Sequence, residues 1–283
     1  MCTICCARAW LEAYPVKRAA ILIPARYASS RYPGKPLAEL TLPDGGRKTL
    51  IRMSWEAGCA VASPDDVYVA TDDERIAAHC VDFGARVVMT APECRNGTER
   101  CAEAVTNAGI DADIIVNLQG DAPLTPPWFI TALIEAMQNS DCRVATPVLR
   151  CDAQTYAHFL EDRRAGRVGG TTAVFDAQGN ALYFSKEVIP WLDPAKLADN
   201  APPVWHHVGV YAYTREALAA YGALPPGRLE ELEGLEQLRF LEHRHHVQCI
   251  EVEARGRVFW ELNNPADIPR IEQALKEMAC PAA

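Results

Sequence analysis

The chain has 283 residues, of which 49% are hydrophobic and 23% are charged, and its formal net charge is −9 at pH 7. This length allows a full hydrophobic core in one large domain or two. A net negative chain offers no general basic surface to nucleic acid, and no apolar run has membrane-spanning length. We therefore predict a cytoplasmic protein that has neither nucleic acid nor a membrane as its partner.

Residues 1–18 are predicted to form a poorly ordered leader ahead of a single domain over residues 19–283. The leader lacks the basic start and long apolar core of a secretion signal. The 11 cysteines of the chain are scattered, which favours reduced thiols over a disulfide framework. The spacing of Cys2, Cys5 and Cys6 also suggests a metal clip, but no second Cys or His pair follows at a spacing typical of zinc.

A buried strand followed by a basic loop opens the predicted domain. Residues 19–23 are apolar, and Pro24 lacks the backbone donor that would continue ladder pairing. The loop then presents Arg26, Arg31 and Lys35 among small residues, which let backbone amides approach an anion. We predict a polyphosphate-binding loop. The alternative is an ordinary strand exit with solvated basic side chains.

Amphipathic helices and short apolar strands alternate through the first half of the chain. The predicted helices cover residues 49–62, 73–83, a segment opening at 96, and 126–139. The predicted strands cover residues 67–70, 86–89, 114–118 and 144–148. This alternation is typical of an α/β fold whose parallel sheet is covered on both faces.

Polar side chains follow two of these strands, as Thr71–Asp73 and as Gln119–Asp121. Ligands of parallel sheets bind beyond the carboxyl ends of the strands, where the basic loop also begins. We therefore predict a nucleotide site at this edge, with Asp121 as a candidate Mg²⁺ ligand. Alternatively, Asp121 caps the following helix, and Asp72 and Asp73 are helix N-caps.

The pattern changes after residue 150. Two strand-like runs, 171–175 and 181–185, flank the turn sequence DAQGN, which is a hairpin signal. We expect residues 150–205 to form a smaller antiparallel subdomain or dimer flap.

The last part of the chain returns to long elements. A strand over 208–213, a helix over 229–243, a strand over 247–252 and a helix over 266–278 are predicted. Three histidines, His243, His245 and His246, lie between a helix end and a strand start. We interpret them as solvated loop side chains rather than as a metal cluster.

Two common nucleotide motifs are excluded near the first strand. Pro36 follows Gly34-Lys35 where a P-loop needs Ser or Thr, and no glycine precedes at the P-loop spacing. No GxGxxG follows the strand either, which argues against a dinucleotide site.

A set of longer motifs resembles the 3-deoxy-manno-octulosonate cytidylyltransferases, also called CMP-KDO synthetases. The resemblance spans about residues 19–278 and is specific in its combination and order of motifs. The motifs are IPARYASSRYPGKPL, VYVATDDERI, NGTERCAEA, IIVNLQGDAP, ALYFSKEVIPW, HHVGVYAY and GLEQLRFL.

The resemblance implies a Rossmann-like nucleotidyltransferase fold, a homodimer built through the smaller subdomain, and transfer of CMP from CTP to an acidic acceptor with Mg²⁺ as cofactor. It implies that Arg26, Lys35 and Asp121 act in catalysis. The implied nucleotide-binding residues are Ala25, Arg26, Lys35, Thr71, Asp72, Asp73, Thr98, Arg100 and Gln119. The implied acceptor-binding residues are His207, Tyr211, Glu236 and Gln237, and the implied metal ligands are Asp121 and Asn263.

The sequence departs from the family pattern on the acceptor and metal side. Asn263 stands where the family has a second metal carboxylate, Ala122 replaces a glutamate, and Thr172 replaces a lysine. KDO or a related ulosonate is the acceptor that the family implies. The departures leave two alternatives open: a small phosphonate acceptor such as phosphonoformate, or a catalytically weak nucleotide-binding relative.

Overall fold

The computed structural model describes residues 17–28, 32–168, 170–193, 202–257, 262 and 265–279. Most of the predicted leader and Asn263 therefore lie outside the described residues. Within the described ranges, no helix is both long enough and apolar enough to cross a membrane. The described cysteines are free, as predicted, and burial raises the pKa of Cys80 to about 12.

The strands confirm the predicted alternation and add to it. They are β1 Ala19–Ala25, β2 Glu39–Thr41, β3 Arg47–Thr49, β4 Val67–Thr71, β5 Arg86–Met89, β6 Ile114–Leu118, β7 Val144–Arg150, β8 Thr171–Phe175, β9 Ala181–Ser185, β10 Trp205–His207, β11 Val210–Thr214 and β12 Gln248–Val252. The helices are α1 Leu50–Cys59, α2 Glu74–Asp82, α3 Gly97–Asn107, α4 Pro127–Gln138, α5 Ala153–Arg164, α6 Arg215–Ala223, α7 Arg228–Glu233, α8 Leu238–Glu242 and α9 Ile268–Ala279.

One ten-stranded sheet organises the molecule, in the order β5-β4-β1-β6-β11-β7-β10-β8-β9, with β12 paired to β7. The pairings β5-β4, β4-β1 and β1-β6 are parallel, and β11 runs antiparallel between β6 and β7. The α/β prediction with a parallel central sheet is thus confirmed. A small separate sheet pairs β2 with β3.

Helices cover both faces of the sheet. Alternate residues of β1 enter the two cores: Leu22 faces a cluster that includes residues of α3, α6 and α8, while Ile21 and Ile23 face residues of α1, α2 and α4. This alternation follows from the two-residue period of a strand. The helix α9 packs instead on β2 and α1, through Ile271 and Leu40.

The expectation that Pro24 ends the first strand is wrong. The ladder of β1 with β4 continues through Pro24 to Ala25, which pairs with Thr71. Pairing of β1 with its other neighbour, β6, stops at Leu22. The missing Pro24 donor therefore falls where only one neighbouring strand remains.

The predicted helix over residues 229–243 is also wrong, because the segment is broken into α7 and α8. Gly234 ends α7 in the left-handed conformation, with φ 60°. Glycine adopts that conformation without the steric cost of a Cβ atom. The break places Glu236 and Gln237 in a turn rather than on a helix face.

Some strands and helices were not predicted from the sequence. The three-residue strands β2, β3 and β10 and the helices α5 and α6 were not predicted. The hairpin of β8 and β9 is confirmed, and β10 joins it to β7, so these strands continue the main sheet. The role of residues 150–205 as a subdomain stays a prediction.

Candidate active site

The predicted site residues of the first half gather at one edge of the sheet. The strands β1, β4 and β6 are parallel and end at Ala25, Thr71 and Leu118. Ala25 is buried, and Arg26 follows it as an exposed side chain. The segments after the three strands therefore form a shared cleft edge, as the topology of parallel sheets requires.

Lys35 and Asp121 meet across this edge. The Lys35 ammonium donates a hydrogen bond to the Asp121 carboxylate, and the two side chains are 14% and 29% exposed. Partial exposure keeps both groups reachable by a ligand, and partial burial strengthens their attraction. The edge thus holds one cation suited to phosphate and one carboxylate suited to a metal.

A second, more buried ion pair joins α3 to the end of β4. The Arg100 guanidinium lies 3.2 Å from Asp72 Oδ2, and Arg100 is 3% exposed. Arg100 also donates to the Thr90 hydroxyl. Asp72 Oδ1 is buried and has no hydrogen-bond partner among the described residues. Since a buried oxygen without a partner is costly, Asp72 presents an acceptor atom that a ligand donor would satisfy.

Thr71 and Asp73 have structural partners. The Thr71 hydroxyl accepts a hydrogen bond from the Asp73 amide at 3.2 Å. Asp73 is the N-cap of α2, as the alternative interpretation had it, because its carboxylate accepts from the Arg75 amide at 3.0 Å. Hydrogen bonds from the Arg75 side chain lower the Asp73 pKa. Arg75 also lies over the ring of Tyr27, 3.3 Å from its centroid, and so ties the basic loop to α2.

Two glycines allow the chain to pass close to the end of β1. A Cβ atom on Gly97 would lie 3.0 Å from Gln119 Nε2, and one on Gly120 would lie 3.2 Å from the Pro24 carbonyl oxygen. These approaches bring the start of α3 and the segment after β6 against the first strand. Gln119 is thereby held in the cleft.

Glu236 connects the two sides of the cleft. Its carboxylate accepts hydrogen bonds from the Thr98 amide at 3.1 Å and from Gln119 Nε2 at 3.5 Å. Burial raises the pKa of the Glu236 carboxyl. A carboxylate at the first turn of α3 is favoured by the helix dipole and by the free amides there. The residue predicted for the acceptor therefore touches residues predicted for the nucleotide.

Tyr211 and Gln237 form the other acceptor-side pair. The Tyr211 hydroxyl donates to Gln237 Oε1 at 3.0 Å. Gln237 is 2% exposed, and its Nε2 has no hydrogen-bond partner among the described residues. An amide held by its oxygen, with its nitrogen left without a partner, is suited to donate to a carboxylate or hydroxyl of a bound molecule.

His207 is buried, like Tyr211 and Gln237. It is 5% exposed, and its Nε2 lies 3.0 Å from the Thr146 hydroxyl. Burial lowers the His207 pKa to about 3, so the imidazole is neutral. Its ring lies 5.5 Å from that of Tyr211, centroid to centroid. His207 therefore packs against the ring of Tyr211.

Thr172, at the position where the family has a lysine, is a buried structural residue. Its hydroxyl donates to the Glu187 carbonyl at 2.6 Å and accepts from the Ile189 amide at 3.2 Å. These bonds fix the turn that follows β9. Ala122, where the family has a glutamate, is also buried, with 2% of its surface exposed.

Two further site-lining residues were missed by the sequence reasoning. Arg239 is 1% exposed and pairs with Glu230 and Glu99, which holds the turn of Glu236 against α3. Asn117, on β6, has a buried Nδ2 without a partner among the described residues. An amide inside the otherwise apolar run IIVNL was the signal that could have identified Asn117.

The residues present fit a magnesium ion held largely by a substrate. Mg²⁺ commonly takes one or two protein carboxylates and completes its shell with phosphate oxygens and water, and Asp121 supplies one carboxylate. No group of three or more metal-ligating side chains occurs in the described part of the chain. The other predicted ligand, Asn263, lies outside it.

Comparisons with known proteins agree with this architecture. The sequence model of the cytidylyltransferase family matches residues 20–247. The chain is 41% identical to a 3-deoxy-manno-octulosonate cytidylyltransferase of Maricaulis maris over 252 residues, 89% of this chain and 94% of that protein. It is also 41% identical to an 8-amino-3,8-dideoxy-manno-octulosonate cytidylyltransferase of Shewanella sp. strain ANA-3 over 256 residues, 90% of this chain and 97% of that protein.

A solved structure shows the same relationship in three dimensions. The structure of CMP:2-keto-3-deoxy-manno-octonic acid synthetase in complex with CTP superposes with a TM-score of 0.77 at 32% identity, covering 92% of this chain and 99% of that chain. The likeness thus extends over both sides of the cleft. The chain belongs to the cytidylyltransferase family, and it is a CTP-dependent nucleotidyltransferase.

Proposed function

We propose that this enzyme transfers CMP from CTP to 3-deoxy-manno-octulosonate, with its 8-amino-3,8-dideoxy form as the second candidate acceptor. The observation that carries the proposal is the contact of Glu236 with Thr98 and Gln119, which joins the nucleotide side and the acceptor side in one cleft. Both candidates are named because the two kinds of relative are equally similar to the chain, at 41% identity.

The proposed reaction is an in-line displacement at phosphorus. A hydroxyl oxygen of the acceptor forms a bond to the α-phosphorus of CTP, and the bond from that phosphorus to the bridging oxygen of the β-phosphate breaks. Pyrophosphate leaves, and the hydroxyl proton passes to solvent or a nearby base. The protein contributes by positioning the reactants and neutralising charge.

The triphosphate is assigned to Arg26 and Lys35. Arg26 is exposed at the mouth of the cleft, and Lys35 is held on Asp121. Phosphate oxygens offer Lys35 a second anion, so we expect the ammonium to move from the carboxylate to the nucleotide on binding. Asp121 would then be free to hold Mg²⁺ together with phosphate oxygens, and the bound ion would supply positive charge at the transferring phosphoryl group.

The acceptor is assigned to the pocket beside Gln237. The Gln237 Nε2 atom is buried without a partner among the described residues, and Tyr211 fixes the amide orientation. A sugar acid brings both a carboxylate and hydroxyls to such a donor. A small phosphonate acceptor finds no support among the relatives, and the non-catalytic alternative rests on Asn263 alone.

We also propose that the enzyme works as a homodimer joined at the β9 edge of the sheet. In the strand order of the described residues β9 is terminal, and Leu182 on it is 63% exposed. A cavity of about 390 Å³ nearby is lined in part by Val168, Leu229 and Leu232, and Leu232 is 72% exposed. An open sheet edge with clustered apolar side chains favours pairing with a second copy.

We place the reaction in the cytoplasm. The seven described cysteines are all free, and several of them are buried, as Cys101 and Cys151 illustrate. Free thiols persist in a reducing compartment.

The proposal is tested by following pyrophosphate release from CTP with Mg²⁺ and a panel of acceptors. The panel contains 3-deoxy-manno-octulosonate, its 8-amino form, other ulosonates and a simple aldonic acid. We expect turnover with one of the first two and none with the aldonic acid. Turnover with neither of them, under conditions in which CTP binds, would contradict the proposal.

A further inference from the structure

A cavity of about 760 Å³ lies at the sheet edge opposite the active site. It opens between the end of α4, the first residue of β7 and the loop that connects α8 to β12. The strands β6 and β7 both pair antiparallel with β11 and so run in the same direction. The active-site groups follow the end of β6, whereas this cavity borders the start of β7. The two sites therefore lie at opposite ends of the strands.

The floor of the cavity is apolar. It is formed by aliphatic and aromatic side chains of five elements, namely Ala136, Val144, Ala217, Phe240 and Ile250. Cavities of this volume are typical of small-molecule sites.

The rim of the cavity is basic. Arg143, Arg244, His245 and His246 line it, and both arginines are exposed. Neither guanidinium has an ion pair with the described residues. The acidic groups that face this rim are Asp141, which lines the cavity, and Asp176, which interacts electrostatically with His246. Two arginines and two imidazoles thus line the rim beside two carboxylates.

Arg244 occupies this rim at a conformational cost. Its φ is 61°, and it follows α8 at the position where helices usually end in glycine. A non-glycine residue in this region is strained, because its Cβ atom crowds the following carbonyl oxygen. The left-handed turn is held by hydrogen bonds from the Arg244 amide to the Leu241 carbonyl at 3.0 Å and from the His245 amide to the Phe240 carbonyl at 2.9 Å.

The cavity and the active site share α8. Gln237, whose Nε2 has no partner among the described residues, directly precedes this helix. Phe240, on the helix, lines the cavity. The Phe240 ring packs on Tyr213, with centroids 5.9 Å apart. The Tyr213 hydroxyl in turn lies 3.0 Å from the Thr98 hydroxyl. Phe240 therefore connects the wall of the cavity to the start of α3 through the single ring of Tyr213.

We propose that this cavity is an effector site for a small organic anion with an apolar body, such as an aryl or alkyl carboxylate. The apolar part would pack against the half-buried Ile250, and the anion would pair with Arg244 and Arg143. Occupancy changes the affinity for the acceptor through α8, a coupling that rests on the proposed function, whereas binding itself does not.

Binding is tested by titration calorimetry on the full chain with CTP present in excess to fill the nucleotide site. The probes are 3-phenylpropionate, acetate for the charge alone, and 3-phenylpropanol for the apolar body alone. We expect 3-phenylpropionate to bind with a Kd of roughly 1 mM. The two partial probes should bind at least about tenfold more weakly.

Two variants and a control locate the probe. Arg244→Gly removes the cation and relieves the left-handed backbone, so its expected tenfold loss of binding, about 1.4 kcal/mol, cannot be ascribed to unfolding. Ala136→Phe fills the floor and should weaken binding while all charges remain. Arg164→Gln changes an exposed arginine of α5 and should leave binding unchanged. Absence of binding at about 10 mM probe, or equal binding to wild type and Arg244→Gly, overturns the site.

Coupling is tested by turnover with the accepted sugar acid. With 3-phenylpropionate present, the acceptor KM of the wild type should change by at least about twofold, and the KM of Arg244→Gly should not. An unchanged KM in the wild type despite measured binding overturns the effector role. Failure of the proposed function would instead appear as no turnover, with calorimetric binding intact.

Discussion

At the scale of single residues, the ion pair of Lys35 and Asp121 lies on the side of the cleft that we assign to the nucleotide. Lys35→Met removes the charge that we assign to the triphosphate, while a similar side-chain volume remains. We expect kcat/KM for CTP to fall by about 10²–10³, as for loss of one charge-stabilising group. The measurement is pyrophosphate release at saturating acceptor.

Lys48→Met is the matched control for this prediction. Lys48 also pairs with a carboxylate, that of Glu56 on α1, but it does not belong to the cleft. Its activity should stay near that of the wild type. If the Lys35 variant were as active as the Lys48 variant, the assignment of Lys35 to the triphosphate would be wrong.

The buried imidazole of His207 makes the free energy of unfolding depend on pH. Burial lowers its pKa to about 3 from the ordinary 6.5. Because the folded-state pKa is lower, the contribution of His207 to stability is complete above pH 6.5 and is lost as the pH falls toward 3. For such a group the slope approaches about 1.4 kcal/mol per pH unit within that window.

His207→Gln should therefore be less sensitive to acid than the wild type. Urea unfolding at pH 7 and pH 5 measures the free energy of unfolding of each protein. The difference between the two pH values should be smaller in the variant by about 1–2 kcal/mol. His158→Gln, at an exposed position of α5, should behave like the wild type. Equal acid sensitivity of His207→Gln and wild type would argue against a buried neutral imidazole.

At the scale of elements, Arg239 holds α7, α8 and α3 together. Its guanidinium bonds both oxygens of Glu230, at 2.7 and 2.6 Å, and lies 3.0 Å from Glu99. Arg239→Met leaves the Glu230 carboxylate buried without its cation. Removal of one partner from a buried pair costs about 3–5 kcal/mol, so we expect that loss in the free energy of unfolding from urea titration.

Arg228→Met provides the control, because Arg228 lies exposed in the first turn of α7. This variant should unfold within about 0.5 kcal/mol of the wild type. Equal free energies of unfolding for the two variants would show that the buried ion pairs of Arg239 make no net contribution to stability.

At the scale of the whole molecule, the proposed dimer depends on the β9 edge. Introducing Leu182→Asp together with Leu232→Asp places charges at two exposed leucines, one on β9 and one on α7. We expect light scattering to give about twice 31.1 kDa for the wild type and the single-chain mass of 31.1 kDa for the double variant. Val81→Asp, on α2 and 63% exposed, should leave the mass unchanged. A wild type of single-chain mass would refute the proposed dimer.

Much of the fold could be predicted from the sequence because its signals are local. The apolar runs of β1, β4 and β6 and the N-cap side chains of Asp73 and Asn96 mark elements over a few residues. The carboxyl-edge placement of the cleft follows once the strands are parallel. The sequence by itself therefore determined the α/β class and the edge of the sheet to which we assign the nucleotide.

The tertiary structure decided the features that depend on distant contacts. Lys35 and Asp121 are 86 residues apart in the chain, so no local pattern reports their pairing. The segment around Gly234 has helical periodicity, yet the pairing of Arg239 with Glu230 and Glu99 fixes a turn there. Burial, not residue type, makes His207 neutral and leaves the Gln237 nitrogen without a partner among the described residues. Both effects depend on what the whole fold packs around a group.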